Sequence, residues 1–269
     1  MKKFAAVNQK GGVGKTNTNC NFAFFLADCG HRTLIINGDE QEDANDTMDA
    51  FRLTGISTHD LFGVEPLKFL DLNGKLALIP SHRDRLREIE ESSIDDMELV
   101  RNLKERLEEL APYFEYAIFD TAGANSRIAN ALLIASDFAT VPTKIDEHSI
   151  REAVETIGRI GGIRSHPAAQ IRNENLAFLG ILVNEYDPRQ PFQVKQFNAL
   201  LEMHADLMVP YAITDRQAYR EAVSSRVPVW KLKSDDGRQV KTAAREAGRE
   251  LHAVFSYFKN LMDAQTVTR

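Results

Sequence analysis

The stretch NQKGGVGKTNTN, residues 8–19, restricts the fold more than any other part of the chain. A short aliphatic run, Phe4–Val7, precedes it and a helical pattern follows it, so the glycines fall where a strand turns into a helix. Gly11, Gly12 and Gly14 admit backbone conformations that a Cβ forbids and let several N–H groups converge on an anion. The next helix points its positive end at the same place. With Val13 and Asn17 completing the loop, Lys15 is expected to reach the β- and γ-phosphates of a nucleotide, and the Thr16 hydroxyl to bind Mg²⁺. The plain G-x-x-x-x-G-K-T pattern does not describe the loop fully. Its first glycine is Gln9 here, and an additional lysine, Lys10, follows.

Strand and helix signals then alternate along the chain. The expected strands are Phe4–Val7, Thr33–Ile36, Leu76–Ile79, Tyr116–Phe119, Phe138–Val141 and Leu176–Val183. They are aliphatic or β-branched and mostly lack two-residue alternation, which predicts burial on both faces of a parallel sheet. Helices are expected at Lys15–Cys29, Met97–Leu110, Asn125–Ala135, Glu147–Gly161 and Phe192–His204. The predicted fold class is therefore α/β, a doubly wound, mostly parallel sheet flanked by helices. No linker or repeat divides the chain, so one domain over residues 1–269 is expected. A final helix, about 240–262, carries Leu251, Val254, Phe255, Phe258, Leu261 and Met262 on one stripe that should pack on the sheet. Residues 83–96 are charge-dense and read as a solvated helix face or a connection.

Composition removes several function classes. With 43% hydrophobic and 27% charged residues, the chain is typical of a globular protein. A net charge of -6 excludes a wholly basic nucleic-acid coat and leaves only a local patch for polyanions. Cys20 and Cys29 lie on opposite sides of one predicted helix, which makes a disulfide between them implausible, and the histidines show no metal-ligand spacing. The N-terminal MKKFAAVNQ lacks a signal-peptide core, and no run approaches the ~18 apolar residues of a membrane span. A cytoplasmic location is expected.

The lysine pair and glycines resemble the deviant Walker A family, KGGxGK followed by Ser or Thr, which includes ParA partition ATPases, MinD-type ATPases and the nitrogenase iron protein. The resemblance spans residue 3 to about 258. It implies a P-loop NTPase that binds ATP and Mg²⁺, and a catalytic role for Lys10 in trans, on the nucleotide of a second subunit. Such a contact makes dimerisation ATP-dependent. A cation supplied across the interface would offset the charge of two facing nucleotides.

Two further stretches carry the resemblance. INGDEQEDAN, residues 36–45, lies where ParA proteins have D-x-D-P-Q. Asp39 keeps the second acid, which by resemblance orients the attacking water and contributes to the metal site, and Gln41 is also kept. Asn37 and Glu40 depart from the pattern, which puts the geometry of this switch and its rate in question. Some of Glu40, Glu42 and Asp43 are expected to point outward, because an acidic cluster beside a triphosphate repels it. EYAIFDTAGA, residues 115–124, reads as a buried strand ending in an acid, placing Asp120 where α/β sheets bind ligands and where it can hold Mg²⁺ through water. By resemblance Gly123 lies near the γ-phosphate, Asn184 of LGILVNEYD contacts the base, and Pro210 of VPYAITD packs beside it.

The choice among family members rests on the C-terminal third. Residues 216–249 hold nine Lys and Arg against four Asp and Glu: Arg216, Arg220, Arg226, Lys231, Lys233, Arg238, Lys241, Arg245 and Arg249 against Glu221, Asp235, Asp236 and Glu246. Doubled by dimerisation, this segment could bind DNA phosphates without reading sequence. The resemblance then implies a nucleoid-associated partition ATPase that acts with a ParB-like centromere-binding protein, slow on its own. Arg226 replaces a glycine usual in ParA. An ATPase of conjugative DNA transfer is the alternative. A MinD-like membrane role ranks lower, because the ending KNLMDAQTVTR is not a basic amphipathic tail. A nitrogenase-type reductase lacks the required downstream cysteines. Because the loop begins within ten residues of Met1, no preceding helix-turn-helix and no operator-specific binding are expected.

Overall fold

The computed structural model describes residues 1–68, 74–123, 125–234, 237 and 239–265. Its strands are β1 (Lys2–Ala6), β2 (Thr33–Gly38), β3 (Leu76–Ile79), β4 (Tyr116–Thr121), β5 (Phe138–Thr143), β6 (Ala177–Tyr186) and β7 (Met208–Thr214). They form one seven-stranded sheet in the order β3-β2-β4-β1-β5-β6-β7, and every pairing is parallel. The helices are α1 (Lys15–Asp28), α2 (Asp43–Thr47), α3 (Arg83–Glu90), α4 (Asp96–Leu110), α5 (Arg127–Ala135), α6 (Glu147–Arg164), α7 (Pro191–Met203), α8 (Gln217–Ser224) and α9 (Thr242–Ala264).

Each central strand contributes to two cores. Phe4 and Ala6 of β1 face α1 and α9, whereas Ala5 and Val7 face the side covered by α4 and α5. Both kinds of position are buried, which is why these strands lack a polar alternation. On the first side, Phe22 of α1 meets Phe4, Phe255 and Phe258 with ring centroids 4.8, 5.2 and 6.0 Å apart. Burying each such side chain contributes about 1.5–3 kcal/mol. The α9 stripe packs on this core, with Leu251, Val254, Phe255, Phe258 and Met262 buried and Leu261 half-buried. Below the sheet, the Asp263 carboxylate accepts from Lys2 Nζ at 2.6 Å and Tyr116 OH at 2.9 Å, joining α9 to β1 and β4.

Beyond the sequence expectation lie the short α2 and three further elements. β7 was obscured by Pro210, yet β7 pairs only with β6, and an edge strand tolerates a residue without an N–H. α3 lies inside the charge-dense stretch and buries only Leu86 and Ile89, one turn apart. α8 has a similarly narrow apolar face of Ala218, Tyr219 and Ala222. Such short stripes give little periodic signal.

The neighbouring strands β1 and β4 send their following helices, α1 and α5, to opposite faces. The crevice this opens at the carboxyl ends of the strands is where ligands bind in sheets of this kind.

Candidate functional site

The loop between β1 and α1 closes over that crevice. Gly12 and Gly14 have φ of +69° and +87°, a region that side chains rarely adopt. A Cβ on Gly14 would lie 1.9 Å from Asn184 Nδ2, so only glycine fits there. Lys15 is buried, and its ammonium donates to Lys10 O at 3.0 Å. Burial pushes Lys15 below the ordinary lysine value, against the opposing pull of Asp120 and Asp39.

A cavity of about 510 Å³ is lined by Gly11, Gly12, Gly14, Lys15, Thr16 and Asn17 on the loop side. Asp39, Ala122 and Gly123 face them. A Cβ at Gly123 would press within 3.3 Å of Gln9 O and the Gly11 backbone, so this glycine lets the β4 loop approach the phosphate loop. Asp120, the penultimate residue of β4, lies beneath the cavity, fully buried. Burial raises its carboxyl to about 6, against the opposing pull of the Asn19 hydrogen bond and the nearby Thr16 hydroxyl. Its Oδ2 has no hydrogen-bond partner. A buried carboxylate oxygen left open beside Thr16 and Lys15 fits the requirements of a hydrated Mg²⁺.

Of the three acids Glu40, Glu42 and Asp43 after β2, only Glu42 stays outside the cavity. Glu40 pairs with Arg87 at 3.1 Å, and Glu42 accepts from Arg83 N at 3.0 Å. Asp43 lines the cavity together with Glu40, and burial and the nearby Asp39 and Asp46 raise the Asp43 carboxyl.

A second cavity of about 380 Å³ adjoins the loop at Gly14 and Asn17, and Asn184 lines it. Asn184 Nδ2 donates to Val13 O at 2.9 Å, which fixes the amide against the loop. Thr214, Asp215, Arg216, Tyr219 and Arg220 form the other wall. Pro210 is not among the lining residues. It sits in mid-β7, four residues before the strand end, whereas the cavity opens at the carboxyl ends of the strands. Lys10 also lies outside both cavities, with its ammonium 3.1 Å from Asp146 Oδ1 and 2.6 Å from Ser149 Oγ at the start of α6.

Two residues at the site were not singled out in the sequence. Asn19 Nδ2 donates to Asp120 Oδ1 at 2.8 Å while its Oδ1 accepts from Ala6 N at 3.2 Å. An amide one helical turn beyond Lys15 on the same face was the available signal. Glu90 reaches the cavity from α3 and accepts from Arg127 N and Ile128 N at the start of α5. Nothing local in sequence links residues 90 and 127.

A family model described as an AAA domain matches residues 1–176. IncC of Escherichia coli is 31% identical over 274 residues, covering 98% of this chain and 70% of IncC. The chain belongs to the ParA family. Solved structures of similar fold include an ATP complex of McdA from Cyanothece, with a TM-score of 0.76 at 18% identity over 96% of each chain. A plasmid partition protein of Borrelia burgdorferi bound to AMPPNP has a TM-score of 0.70 at 16% identity, covering 97% of this chain and 98% of that one. The fold is that of a P-loop NTPase. This member carries Lys10, Lys15, Asp39 and Asp120, with Asn37, Glu40 and Arg226 at positions where the resemblance expects other residues.

Among the described residues, no helix is long and apolar enough to cross a membrane. The basic segment is less free than its composition suggests. Arg216, Arg220, Arg226, Lys231 and Lys241 are paired with Glu250, Asp215, Asp49, Asp28 and Glu221. Lys233, Arg245 and Arg249 are exposed and form no ion pair among the described residues. Arg238, Asp235 and Asp236 lie outside the described residues, as do positions 266–269 of the tail.

Proposed function

We propose that this chain is an ATPase whose ATP-bound dimer binds DNA without sequence preference and serves DNA partition with a ParB-like partner. The observation that carries this is the convergence of Lys15, Thr16, Asp39 and Gly123 on one cavity, above the open oxygen of Asp120. The phosphates of ATP would lie against Gly11–Thr16, and the base would enter the second cavity beside Asn184. Thr16 and Asp120, with Asp39 nearby, would hold Mg²⁺, which supplies charge neutralisation at the phosphate oxygens.

Asp39 then orients the water that attacks the γ-phosphate. Lys15 stabilises charge on the β- and γ-oxygens. Lys10 lies at the mouth of the loop and, once released from Asp146, reaches a nucleotide on a second copy. ParA relationship and the partition protein of similar fold support the cellular role. Lys233, Arg245 and Arg249 are the cations available for phosphates on DNA, and dimerisation doubles them.

The test is binding to non-specific duplex DNA with ATP, with ADP and without nucleotide, at two salt concentrations, beside anionic liposomes. Salt-sensitive DNA binding that requires ATP is the expected result. Binding to liposomes alone would overturn the reading.

A further inference from the structure

Asp39 is held through its backbone from both sides. Its N–H donates to Asn37 Oδ1 at 3.0 Å, and its carbonyl accepts from Ser81 Oγ at 2.8 Å. Asn45 joins the two flanking residues. Asn37 Nδ2 donates to Asn45 Oδ1 at 2.9 Å, and Ser81 N donates to the same oxygen at 3.1 Å. Asn45 Nδ2 donates to Ser81 O at 2.8 Å. Asn37, Asn45 and Ser81 are exposed by 0%, 2% and 0%. They come from the end of β2, from α2 and from the segment after β3, so three separate elements meet on one peptide.

Both atoms of each amide are used, and no charge is involved. In a buried setting each of these bonds is costly to leave unmade, so the set holds one geometry. Thr58 Oγ1 adds a bond to Asn37 O at 2.6 Å, closing the β2 end from its other side. The neutrality matters because Asn37 is paired in register with Asp120. A carboxylate at position 37 would stand next to the buried acid and could not donate to Asn45.

We propose that Asn37, Asn45 and Ser81 form a neutral clamp that positions Asp39, so that these three residues set the hydrolysis rate without touching the nucleotide. The proposal rests on the assignment of Asp39 to hydrolysis. It accounts for the departure of Asn37 from the ParA pattern: the amide supplies the donor that the Asn45 and Ser81 arrangement needs.

The experiment compares the parent chain with Ser81→Ala, Asn45→Asp, Asp39→Ala and the double variant Asp39→Ala/Ser81→Ala. It measures phosphate release from ATP and affinity for a fluorescent ATP analogue. Ser81→Ala removes the hydroxyl that donates to the Asp39 carbonyl at 2.8 Å and accepts from Asn45 Nδ2 at 3.3 Å. It should lower kcat by about ten- to a hundredfold with analogue affinity within about twofold of the parent. Asn45→Asp should follow the same pattern if it folds. In the Asp39→Ala background, Ser81→Ala should cause no further loss, because it acts through the missing carboxylate.

Equal losses of kcat and affinity in Ser81→Ala would overturn the clamp in favour of a merely structural role. A further kcat loss in the double variant would also overturn it. If Asp39→Ala itself hydrolyses ATP at the parent rate, the assignment of Asp39 fails instead. An active-site Asp39 with an unaffected Ser81→Ala would leave that assignment standing and remove the clamp.

Discussion

Lys10 Nζ lies 3.1 Å from the Asp146 carboxylate of its own chain. Asp146 also caps α6, accepting from Ser149 N at 2.8 Å and Ser149 Oγ at 2.5 Å. Burial pushes the Asp146 carboxyl up, but the Ser149 and Lys10 hydrogen bonds outweigh it and hold the group at about 2. The lysine assigned to a second subunit is thus held within the monomer, and any contact in trans must first break this pair. Asp146→Asn keeps an N-cap acceptor and removes the charge. Because the pair is partly exposed, the gain is bounded near ~1 kcal/mol per subunit, so the two released lysines of a dimer tighten ATP-dependent dimerisation by up to about thirtyfold. Sedimentation of the parent, Asp146→Asn and Lys10→Ala with ATP measures it. Lys10→Ala should bind ATP and remain monomeric, and a stable Lys10→Ala dimer would end the trans assignment.

Asp120 predicts a dependence on pH. Its folded-state value is raised to about 6 from an ordinary 3.8 by burial. A raised acid favours the fold while protonated, so its contribution is full below the unfolded value and is lost as pH rises through about 6. The nucleotide-free chain should therefore lose this part of its stability between about pH 4 and pH 6, the two ends of that window. Mg²⁺ requires the ionised form, so Mg²⁺-dependent nucleotide affinity should move the opposite way and fall as pH drops below about 6. Titrations at several pH values, beside Asp120→Asn, check both trends. The variant should bind weakly at every pH and lose the inflection.

Gly14→Ala meets two obstacles at once. The backbone sits at φ +87°, and the new Cβ would lie 1.9 Å from Asn184 Nδ2. Displacing that amide also breaks its bond to Val13 O. The expected cost is at least about 2 kcal/mol, with loss of nucleotide binding. Denaturant melts and a nucleotide titration read the two effects separately. Normal affinity in this variant would show that the Gly14–Asn184 contact is dispensable.

Phe258→Ala tests the role of α9 as a wall of the core. Phe258 is fully buried and packs 5.6 Å from Phe4 and 6.0 Å from Phe22, ring centre to ring centre. A loss of about 3–5 kcal/mol is expected by chemical denaturation. A change below about 1 kcal/mol would mean that α9 is not part of the cooperative unit.

The local pattern of the chain determined the phosphate loop, the run of parallel strands and the stripe of α9. Each is a short-range consequence of glycine placement or apolar spacing. Asp120 was also legible, as an acid ending an unbroken apolar strand. Tertiary structure decided where the side chains go once those elements pack. It drew Lys10 to Asp146 and left Pro210 four residues short of the strand end. It paired five arginines and lysines of the basic segment with carboxylates, two of them, Asp28 and Asp49, from distant parts of the chain. It brought Asn37, Asn45 and Ser81 together around Asp39. These contacts join residues far apart in sequence, and a buried polar group takes whichever partner the packed elements bring within reach. Spacing along the chain carries no record of that choice.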